Sequence, residues 1–357
     1  DLRGWAASYV KTLRELGYRL IYVTKAKAKG QIPHIEKELD ASVNEVEYID
    51  MGSGYIKWSK ELYNVFNKYR PETAFFYTLP YDIAGALVFN RFKGSVRRYQ
   101  IDLTDHAFWI GVNSVDYFLE SREMGASIAV YKRGISPNQI IKTDCVPYIN
   151  KDVYDEPLPF DIKSEKYFFT GGSLYKTLGD EKLLYYKMVD SILDEFGDLK
   201  FIYAGFGDDS EMKKILEKYP QRAFLIKERP DFFRLFEHCK FYLNSYPMFG
   251  GLMMRYAVLA EKEPLTLKHD HDADGLLENQ EMLEIEYDTT EALLNEVRKI
   301  LNDSEYLKKK VAVMKNSVLT HEKFAKNLKK IIDEQRSDYK FGNIDEIDTT
   351  RFQQEYV

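Results

Sequence analysis

The feature that most constrains the fold is a regular alternation of short apolar runs with longer amphipathic segments. The run at 73–78 is apolar at successive positions, as strands buried on both faces are. Alternating strands and helices predict a parallel sheet with helices on both faces. In the first half, strands are predicted at 20–24, 46–49, 73–78, 97–103 and 127–131, and helices at 5–16, 32–39, 56–69, 81–91 and 112–123.

The alternation breaks between residues 147 and 162 and then restarts. Three prolines lie there among Asp and Asn residues without periodicity, which is typical of a linker. A single core rarely grows beyond about 250–300 residues, so the 357 residues predict two doubly wound domains, 1–153 and 154–319. In the second half, strands are predicted at 167–170, 200–204, 223–226, 241–244 and 264–267, and helices at 181–196, 209–218, 230–237, 252–261, 289–302 and 304–334.

The order of these elements leads to two further expectations. Because an α/β domain normally starts with a strand, we expect a first strand to precede Asp1. Two consecutive doubly wound domains are expected to face a cleft. Ligands of such sheets bind beyond the carboxyl ends of the strands, so the loops that follow strands are the candidate functional segments.

The net charge and the cysteine content bear on the possible partners and on the cellular compartment of the protein. There are 51 Lys and Arg residues against 57 Asp and Glu, a net charge of −6, and nucleic-acid binders usually carry a basic excess. Cys145 and Cys239 lie far apart without metal-ligand spacing, which fits a reducing cytoplasm. No apolar run approaches the ~20 residues of a membrane helix, and no secretory signal is present. We expect a cytoplasmic protein with no nucleic-acid partner and at most peripheral membrane contact.

Three glycine-containing turns follow predicted strands of the second half. Glycines let a phosphate approach main-chain N–H groups, and a helix N-terminus with a nearby cation favours an anion. A tight structural turn is the alternative for each of them. The residues concerned are Gly171, Gly172 and Ser173 with Lys176, then Gly205 and Gly207, then Gly250 and Gly251 with Arg255.

Histidines suggest two other kinds of site. His106 could act as a general base with Asp102 or Asp105 as its orienting partner, although a packed histidine beside Phe108 and Trp109 is the alternative. The run from His269 to Asp274 contains metal-ligating residue types, but nothing fixes their geometry and a solvated loop is favoured. No metal site is therefore predicted.

The second half resembles the nucleotide-sugar-binding half of GT-B glycosyltransferases that build bacterial surface polysaccharides. The resemblance covers roughly residues 165–315, and in the first half Asp105–Gly111 is similar to an Asp-His-x-Phe-Trp-x-Gly stretch of some of these enzymes. The matching stretches are Gly171–Lys176, Gly205–Gly207, Arg229–Asp231, Asn244–Pro247, Gly250–Gly251 and Lys262–Leu265.

The resemblance implies two Rossmann-like domains facing a cleft, with a UDP- or GDP-sugar donor bound by the second. It implies no cofactor and no metal, an acceptor near His106 that is a carbohydrate, a lipid-linked molecule or a protein, and a C-terminal segment 320–357 that returns to the first domain. The nucleotide base would lie near the strand before Glu228 and Arg229. The implied donor-binding residues are Gly171, Gly172, Ser173, Lys176, Gly205, Gly207, Glu228, Arg229, Tyr246, Pro247, Gly250, Gly251 and Arg255.

One departure from the family pattern bears on the stereochemistry. Retaining members usually carry two glutamates around the glycine-rich turn, where this chain has Met248 and Tyr256 or Ala257. We therefore expect inversion, with His106 as the base and Asp105 beside it. Two alternatives stay open: a sugar-nucleotide epimerase of the same fold, for which the sequence indicates no convincing set of carboxylates, and a non-catalytic two-domain sugar-binding protein.

Overall fold

The computed structural model describes residues 3–39, 45–52, 54–77, 81–102, 105, 109–143, 146–150, 154–269, 277 and 280–348. The chain divides into two compact units, Asp1–Tyr148 with Leu319–Val357, and Ile149–Val318. The boundaries expected from the sequence were 153/154 and 319/320. Across the described residues, no helix has both the length and the apolar character needed to span a bilayer.

The first unit contains two parallel sheets. The smaller pairs β1 (Ile21–Lys25) with β2 (Glu45–Ile49). The larger has the strand order β3-β4-β5-β6. Its strands are β3 (Thr73–Phe76), β4 (Arg97–Ile101), β5 (Tyr117–Glu120) and β6 (Ile140–Lys142).

Helices cover the larger sheet. Leu62 and Phe66 of α3 pack with Val88 and Phe89 of α4 in a core that also contains Phe118 of β5. Phe66 contacts the ring of Phe89 edge to face, with centroids 5.3 Å apart. The helices of this part of the chain are α1 (Arg3–Glu15), α2 (Pro33–Glu38), α3 (Tyr55–Tyr69), α4 (Ile83–Arg91) and α5 (Glu123–Tyr131).

The prediction for residues 112–131 is wrong. Sequence analysis placed a helix at 112–123 and a strand at 127–131, whereas the structure has β5 at Tyr117–Glu120 followed by α5 at Glu123–Tyr131. Short apolar runs do not distinguish a buried helix from a strand by periodicity. The tertiary pairing decides, because β5 lies between β4 and β6, and the small residues of α5 let that helix pack closely.

The second unit is one parallel sheet with the order β12-β11-β10-β7-β8-β9. The chain builds outward from β7 in one direction to β9, and then restarts on the other side of β7 with β10. The order thus reverses between β7 and β10, and ligands of such sheets bind beyond the carboxyl ends of the strands at this point. The strands are β7 (Tyr167–Gly171), β8 (Lys200–Ala204), β9 (Ala223–Ile226), β10 (Tyr242–Leu243), β11 (Pro264–Leu267) and β12 (Glu286–Tyr287).

The helices of this unit complete its two cores, which lie on opposite faces of the sheet. Phe168 and Phe201 belong to one core, and Phe169 and Ile202 belong to the other, as the alternation of side chains along a strand requires. The helices are α6 (Leu184–Glu195), α7 (Ser210–Lys218), α8 (Phe233–His238), α9 (Gly251–Leu259), α10 (Thr290–Asn302) and α11 (Ser304–Met314).

The long helix predicted at 304–334 is two helices. α11 ends at Met314, and α12 begins at His321 and ends at Glu334. Thr320 caps α12 by accepting the main-chain N–H of Lys323. α12 belongs to the first unit, where Phe324, Leu328, Ile331 and Ile332 join the core around Tyr9 and Tyr99. Residues on both sides of the break thus belong to different cores, which explains why one continuous helix does not form.

Candidate functional site

Two of the predicted turns lie at the point where the strand order of the second sheet reverses. Gly171–Ser173 follow β7, and Asn244–Gly250 follow β10, the strand hydrogen-bonded to β7. Ser173 precedes a 3₁₀ turn that contains Lys176. The structure thus brings the first and third predicted turns together at the edge where ligands of doubly wound sheets bind.

The glycines after β7 and β8 make the two loops pack on each other. A Cβ atom at Gly205 would lie 1.9 Å from the carbonyl oxygen of Gly172, and Gly172 donates its N–H to Ala204 at 3.0 Å. At Gly171 a Cβ would lie 2.4 Å from the Met253 side chain of α9, and at Gly207 it would lie 3.3 Å from Leu174. These glycines serve close loop packing, the structural alternative considered for such turns.

Asn244 organises the loop after β10. This side chain is fully buried, and its Oδ1 accepts the main-chain N–H groups of Ser245 and Gly250, each at 3.0 Å. Sequence analysis expected the Gly250 N–H to be available to an anion. It is instead engaged inside the protein, because the Asn244 amide closes the loop onto the strand end. The Tyr246–Pro247 peptide bond within this loop is cis.

The first turn of α9 carries main-chain donors. α9 begins at Gly251 after an N-cap, Gly250, that gives no side-chain hydrogen bond to the helix. An α-helix leaves its first N–H groups without intrahelical acceptors, and in the described part of the chain none is supplied for Gly251, Leu252 or Met253. These partly exposed donors lie at the positive end of the helix dipole and can bind an anion.

Two cations flank this turn. The Lys176 ammonium donates to the carbonyl oxygen of Phe249 at 3.1 Å, which places it beside the residue that precedes Gly250. Arg255 lies one turn into α9 and is only 6% exposed. The predicted cations Lys176 and Arg255 therefore lie in the same part of the unit as the start of α9.

His269, considered in the sequence only as part of a possible metal run, lies close to the loop after β10. It follows β11 at the same edge of the sheet, is buried, and contacts the rings of Tyr246 and Phe249 edge to face, with centroids 5.6 and 6.1 Å away. Its position after a strand end was the available signal. Residues 270–274 of the suspected metal run lie outside the described residues. The described residues of the chain contain no group of three or more metal-ligating side chains.

Glu228 and Arg229 lie beyond β9, at the end of the sheet. Glu228 is exposed. The Arg229 guanidinium is buried and donates to both carboxylate oxygens of Asp231, at 2.8 and 3.1 Å. It also donates to the carbonyl oxygen of Glu156 at 3.0 Å. Two strands separate β9 from β10. Arg229 thus joins the linker segment to the unit and lies away from the start of α9.

A buried group of charged side chains lies at the carboxyl ends of β4 and β5 in the first unit. Arg133 donates to the Asp102 carboxylate at 2.9 Å and to the carbonyl oxygen of Asp105 at 2.7 Å. Arg122 bonds both carboxylate oxygens of Asp105, at 2.5 and 2.9 Å. We call Asp102, Asp105, Glu120, Arg122 and Arg133 the carboxylate cluster. Within this cluster, the carboxylate of Asp105, the predicted partner of His106, forms an ion pair with Arg122.

Glu120 is the carboxyl group of the cluster without a salt bridge among the described residues. A Cβ at Gly125 would lie 2.6 Å from its Oε2 and 2.9 Å from Asp105 Cβ, so α5 closes directly over it. Burial, together with the neighbouring charge of Asp102, raises the pKa of Glu120 well above its usual value, and burial also raises that of Asp102. Burial in this cluster thus favours the protonated form of Glu120.

The sequence did not indicate Glu120 as a site residue, because residues 112–123 were predicted to form a helix. With β5 correctly placed, Glu120 would have been recognised as a carboxylate at a strand end, in register with Asp102. His106, the predicted base, lies outside the described residues. Trp109, from the same motif, is buried and lies over the Arg133 guanidinium at 4.4 Å, which ties this motif to the carboxylate cluster.

Comparisons with known proteins give structural neighbours. No protein-family model and no curated protein matches the chain. A glycosyltransferase from Rickettsia africae is similar with a TM-score of 0.64 at 12% identity, over 92% of this chain and 95% of that one. UDP-GlcNAc 2-epimerase from Neisseria meningitidis, solved with UDP-GlcNAc, is similar with a TM-score of 0.62 at 10% identity, over 92% and 96%.

A third neighbour is MnaA of S. aureus, solved with UDP, with a TM-score of 0.62 at 15% identity over 95% of this chain and 97% of that one. At these identities the likeness shows the fold alone. The chain has a GT-B fold, and the fold class predicted from the sequence is confirmed.

Proposed function

We propose that the chain is a glycosyltransferase that moves a sugar from a nucleoside diphosphate donor to an acceptor hydroxyl. The observation that carries this proposal is the first turn of α9, whose main-chain donors at Gly251–Met253 lie at the reversal point of the second sheet. Arg255 lies one turn into the same helix and is buried, so it adds a second positive group to this helix. An anion bound there would be stabilised by both groups, and two structural neighbours were solved with diphosphate ligands, one with UDP and one with UDP-GlcNAc.

The chemistry needs such a site, because the leaving diphosphate gains negative charge as the glycosidic bond breaks. Main-chain N–H groups and fixed cations stabilise developing charge without reorganisation. Lys176 is held beside the turn by its bond to Phe249, and Arg255 offers the planar donor set that matches phosphate oxygens. These groups would act on the donor without a metal ion, as we expected from the family resemblance.

In this proposal, a residue of the first unit activates the acceptor. His106 would take the proton of the attacking hydroxyl as its oxygen attacks the anomeric carbon, and the sugar would be transferred with inversion. Arg122 and Arg133 hold the side chain and carbonyl oxygen of Asp105, the residue before His106. The acceptor would be a carbohydrate, a lipid-linked molecule or a protein of polysaccharide or glycoconjugate synthesis.

A sugar-nucleotide epimerase is the second candidate. Three of the structural neighbours are described as UDP-GlcNAc 2-epimerases, one of them provisionally. The carboxylate cluster supplies a set of acidic groups that the sequence did not indicate. The transferase is favoured because Asp102 and Glu120 are almost completely buried and Asp102 and Asp105 are ion-paired. Carboxyl groups in that setting are poorly placed to take a proton from a sugar.

Two experiments test the proposal and separate the candidates. Thermal unfolding with UDP, GDP and free sugars tests nucleotide binding, since a ligand at 100 times its Kd stabilises the folded state by about 2.7 kcal/mol. Stabilisation by free sugar alone would support a binding protein and contradict the proposal. Incubation with UDP-GlcNAc in the absence of acceptor then tests epimerisation, because a new UDP-sugar formed under those conditions identifies an epimerase.

A further inference from the structure

The last described residues of the chain lie across α5 without forming a helix or a strand. In residues 337–348, the large apolar side chains are half-buried and the residues between them are exposed. The half-buried apolar residues are Tyr339, Phe341, Ile344 and Ile347. An irregular end segment that buries its apolar side chains in this way is tied down by specific contacts with its domain. We call residues 337–347 the α5 strap.

One end of the α5 strap is fixed to α12. Asn327 of this helix is only 1% exposed. Its Oδ1 accepts the Ser337 hydroxyl at 3.0 Å and the main-chain N–H of Asp338 at 2.9 Å. Further along the strap, the Lys142 ammonium at the end of β6 lies over the Phe341 ring at 5.2 Å. The strap thus leaves α12 and passes the end of β6 before it reaches α5.

The other end of the strap packs on the outer face of α5. The Ile347 side chain contacts Met124 and Ile128, which form a small apolar cluster separate from the main cores. The main-chain N–H of Ile347 donates to the Ser127 hydroxyl at 3.0 Å. The three helix residues are three or four positions apart or adjacent, so they share one helix face. Ile347 is therefore held both by apolar contact and by a hydrogen bond.

The contact continues to the end of α5. The Tyr131 hydroxyl donates to the carbonyl oxygen of Ile344 at 3.0 Å, and the Lys132 ammonium pairs with the Glu346 carboxylate at 2.8 Å. This ion pair is exposed and contributes little by itself. Together with the contacts of Ile347, these bonds cover one face of the helix over about two turns.

The same helix closes over the carboxylate cluster, at Gly125. Arg122 directly precedes α5 and donates to the Asp105 carboxylate. Arg133 lies two residues beyond the last residue of α5 and donates to the Asp102 carboxylate. The two guanidiniums that hold these carboxylates are thus attached to the two ends of α5. A shift of the helix would move both of them.

The sequence of α5 makes its position dependent on such contacts. The helix has nine residues, and a helix of this length is marginal in water without tertiary packing. Its N-cap, Arg122, gives no side-chain hydrogen bond to the helix, and Gly125 lowers its intrinsic stability relative to alanine. The packing on its two sides therefore sets where α5 lies.

We propose that the α5 strap positions the part of the first unit that activates the acceptor. By packing on α5, the strap fixes Arg122 and Arg133. These two guanidiniums hold Asp105, the residue before His106, in place. The inference rests on the proposed function, in which His106 takes the proton of the acceptor hydroxyl. Ile347 is thus a positioning residue that acts through α5 and does not touch the reacting atoms.

Hydrogen exchange and steady-state kinetics of the full chain test this inference. In Ile347→Asp, exchange of the α5 amides is expected to rise about tenfold, because a carboxylate replaces the side chain that packs on Met124 and Ile128. The kcat of glycosyl transfer is expected to fall about tenfold through misplacement of the base, whereas the KM for the donor and the affinity for UDP or GDP stay unchanged. Ile347→Leu keeps an apolar contact and is expected to match the wild type in both exchange and kcat.

Leu216→Asp is the matched control, since Leu216 of α7 is likewise half-buried and packs on a core of the second unit. It is expected to leave α5 exchange and kcat unchanged. Exchange of α5 in Ile347→Asp equal to that of the wild type, a rise spread over the whole first unit, or a rise in α5 with full kcat would each overturn the positioning role. A wild type that transfers no sugar would refute the proposed function itself, and the exchange data would still show whether the strap holds α5.

Discussion

Asn244 Oδ1 accepts the main-chain N–H of Gly250 at 3.0 Å, and this bond connects the end of β10 to the residue before α9. The same oxygen accepts the N–H of Ser245. One buried amide thus sets where the first turn of α9 begins relative to the sheet. The proposed diphosphate site depends on this placement, because its donors are the next three N–H groups of the chain.

Asn244→Ala is expected to lower the free energy of unfolding by about 1–3 kcal/mol, since two buried N–H groups lose their acceptor. It is also expected to weaken binding of a nucleoside diphosphate. Thr170→Val is the matched control, because Thr170 also makes a buried hydrogen bond, to Leu243 at 2.7 Å, but does not hold the loop. Urea unfolding and calorimetric titration measure the two effects. Equal loss of nucleotide affinity in both variants would contradict the role assigned to Asn244.

Gly205→Ala is expected to destabilise the second unit by about 1–3 kcal/mol or more, because the new methyl group would lie 1.9 Å from the carbonyl oxygen of Gly172. Gly197→Ala is the matched control, since a Cβ at Gly197 meets no atom within 4 Å. Thermal unfolding compares the two variants. A melting temperature for Gly205→Ala equal to that of the control would show that the loops after β7 and β8 do not approach as described.

Glu263 is expected to make stability pH-dependent. It is fully buried, forms an ion pair with Lys310 and accepts from the Tyr287 hydroxyl at 3.2 Å. Burial raises its pKa to about 7, against the opposing charge of Lys310. Because the folded state holds this proton more tightly than the unfolded state, the stabilisation is complete below about pH 4.5 and is lost as the pH rises through 7.

The comparison of Glu263→Gln with the wild type isolates this contribution. Relative to the variant, the wild-type free energy of unfolding is expected to fall by about 3 kcal/mol between pH 4.5 and 8, because burial raises the pKa of Glu263 from 4.5 to about 7. Glu305→Gln, at an exposed residue whose ion pair among the described residues is with Lys308, is the control for the loss of one carboxylate. Urea titrations across this pH range measure the effect. Parallel curves for the wild type and Glu263→Gln would refute the assignment.

His106→Ala is expected to lower kcat of glycosyl transfer by about 10²–10⁴-fold while nucleotide binding is unchanged, because a general base acts on the acceptor and not on the donor. His238→Ala in α8 is the control. Product formation is followed with donor and acceptor both present. Full transfer activity in His106→Ala would remove the proposed base, and a parallel loss of nucleotide affinity would indicate damage to the fold.

Much of the fold was predictable because the hydrophobic pattern reflects burial directly. β7 and β8 are apolar at most positions and were correctly located. β5 and α5 were not, because the run Ser127–Tyr131 has no periodicity that separates strand from helix, and only the pairing of β5 between β4 and β6 decides it. The break after α11 also follows from tertiary packing, since α12 joins the core of the other unit.

The candidate site was predictable at the level of loops and not of atoms. Glycine after a strand end indicates a turn at the ligand-binding edge, and Lys176 and Arg255 were selected on that ground. The sequence could not show that the Gly250 N–H is taken by Asn244, because a side-chain acceptor six residues away competes with any ligand only in three dimensions. Glu120 was missed because its strand, β5, was predicted to be part of a helix, and the contacts of His269 with Tyr246 and Phe249 exist only in the folded chain.

Calorimetric titration of UDP and GDP into the wild type, Arg255→Gln and Arg298→Gln tests the central claim most directly. Arg298 is partly exposed and paired with Glu195 at 2.6 Å, so its variant controls for the loss of one guanidinium. The account predicts that one nucleoside diphosphate binds the wild type and Arg298→Gln alike and binds Arg255→Gln at least about tenfold more weakly. Equal affinity for all three proteins, or no binding of either nucleotide to the wild type, would contradict a diphosphate site at the start of α9.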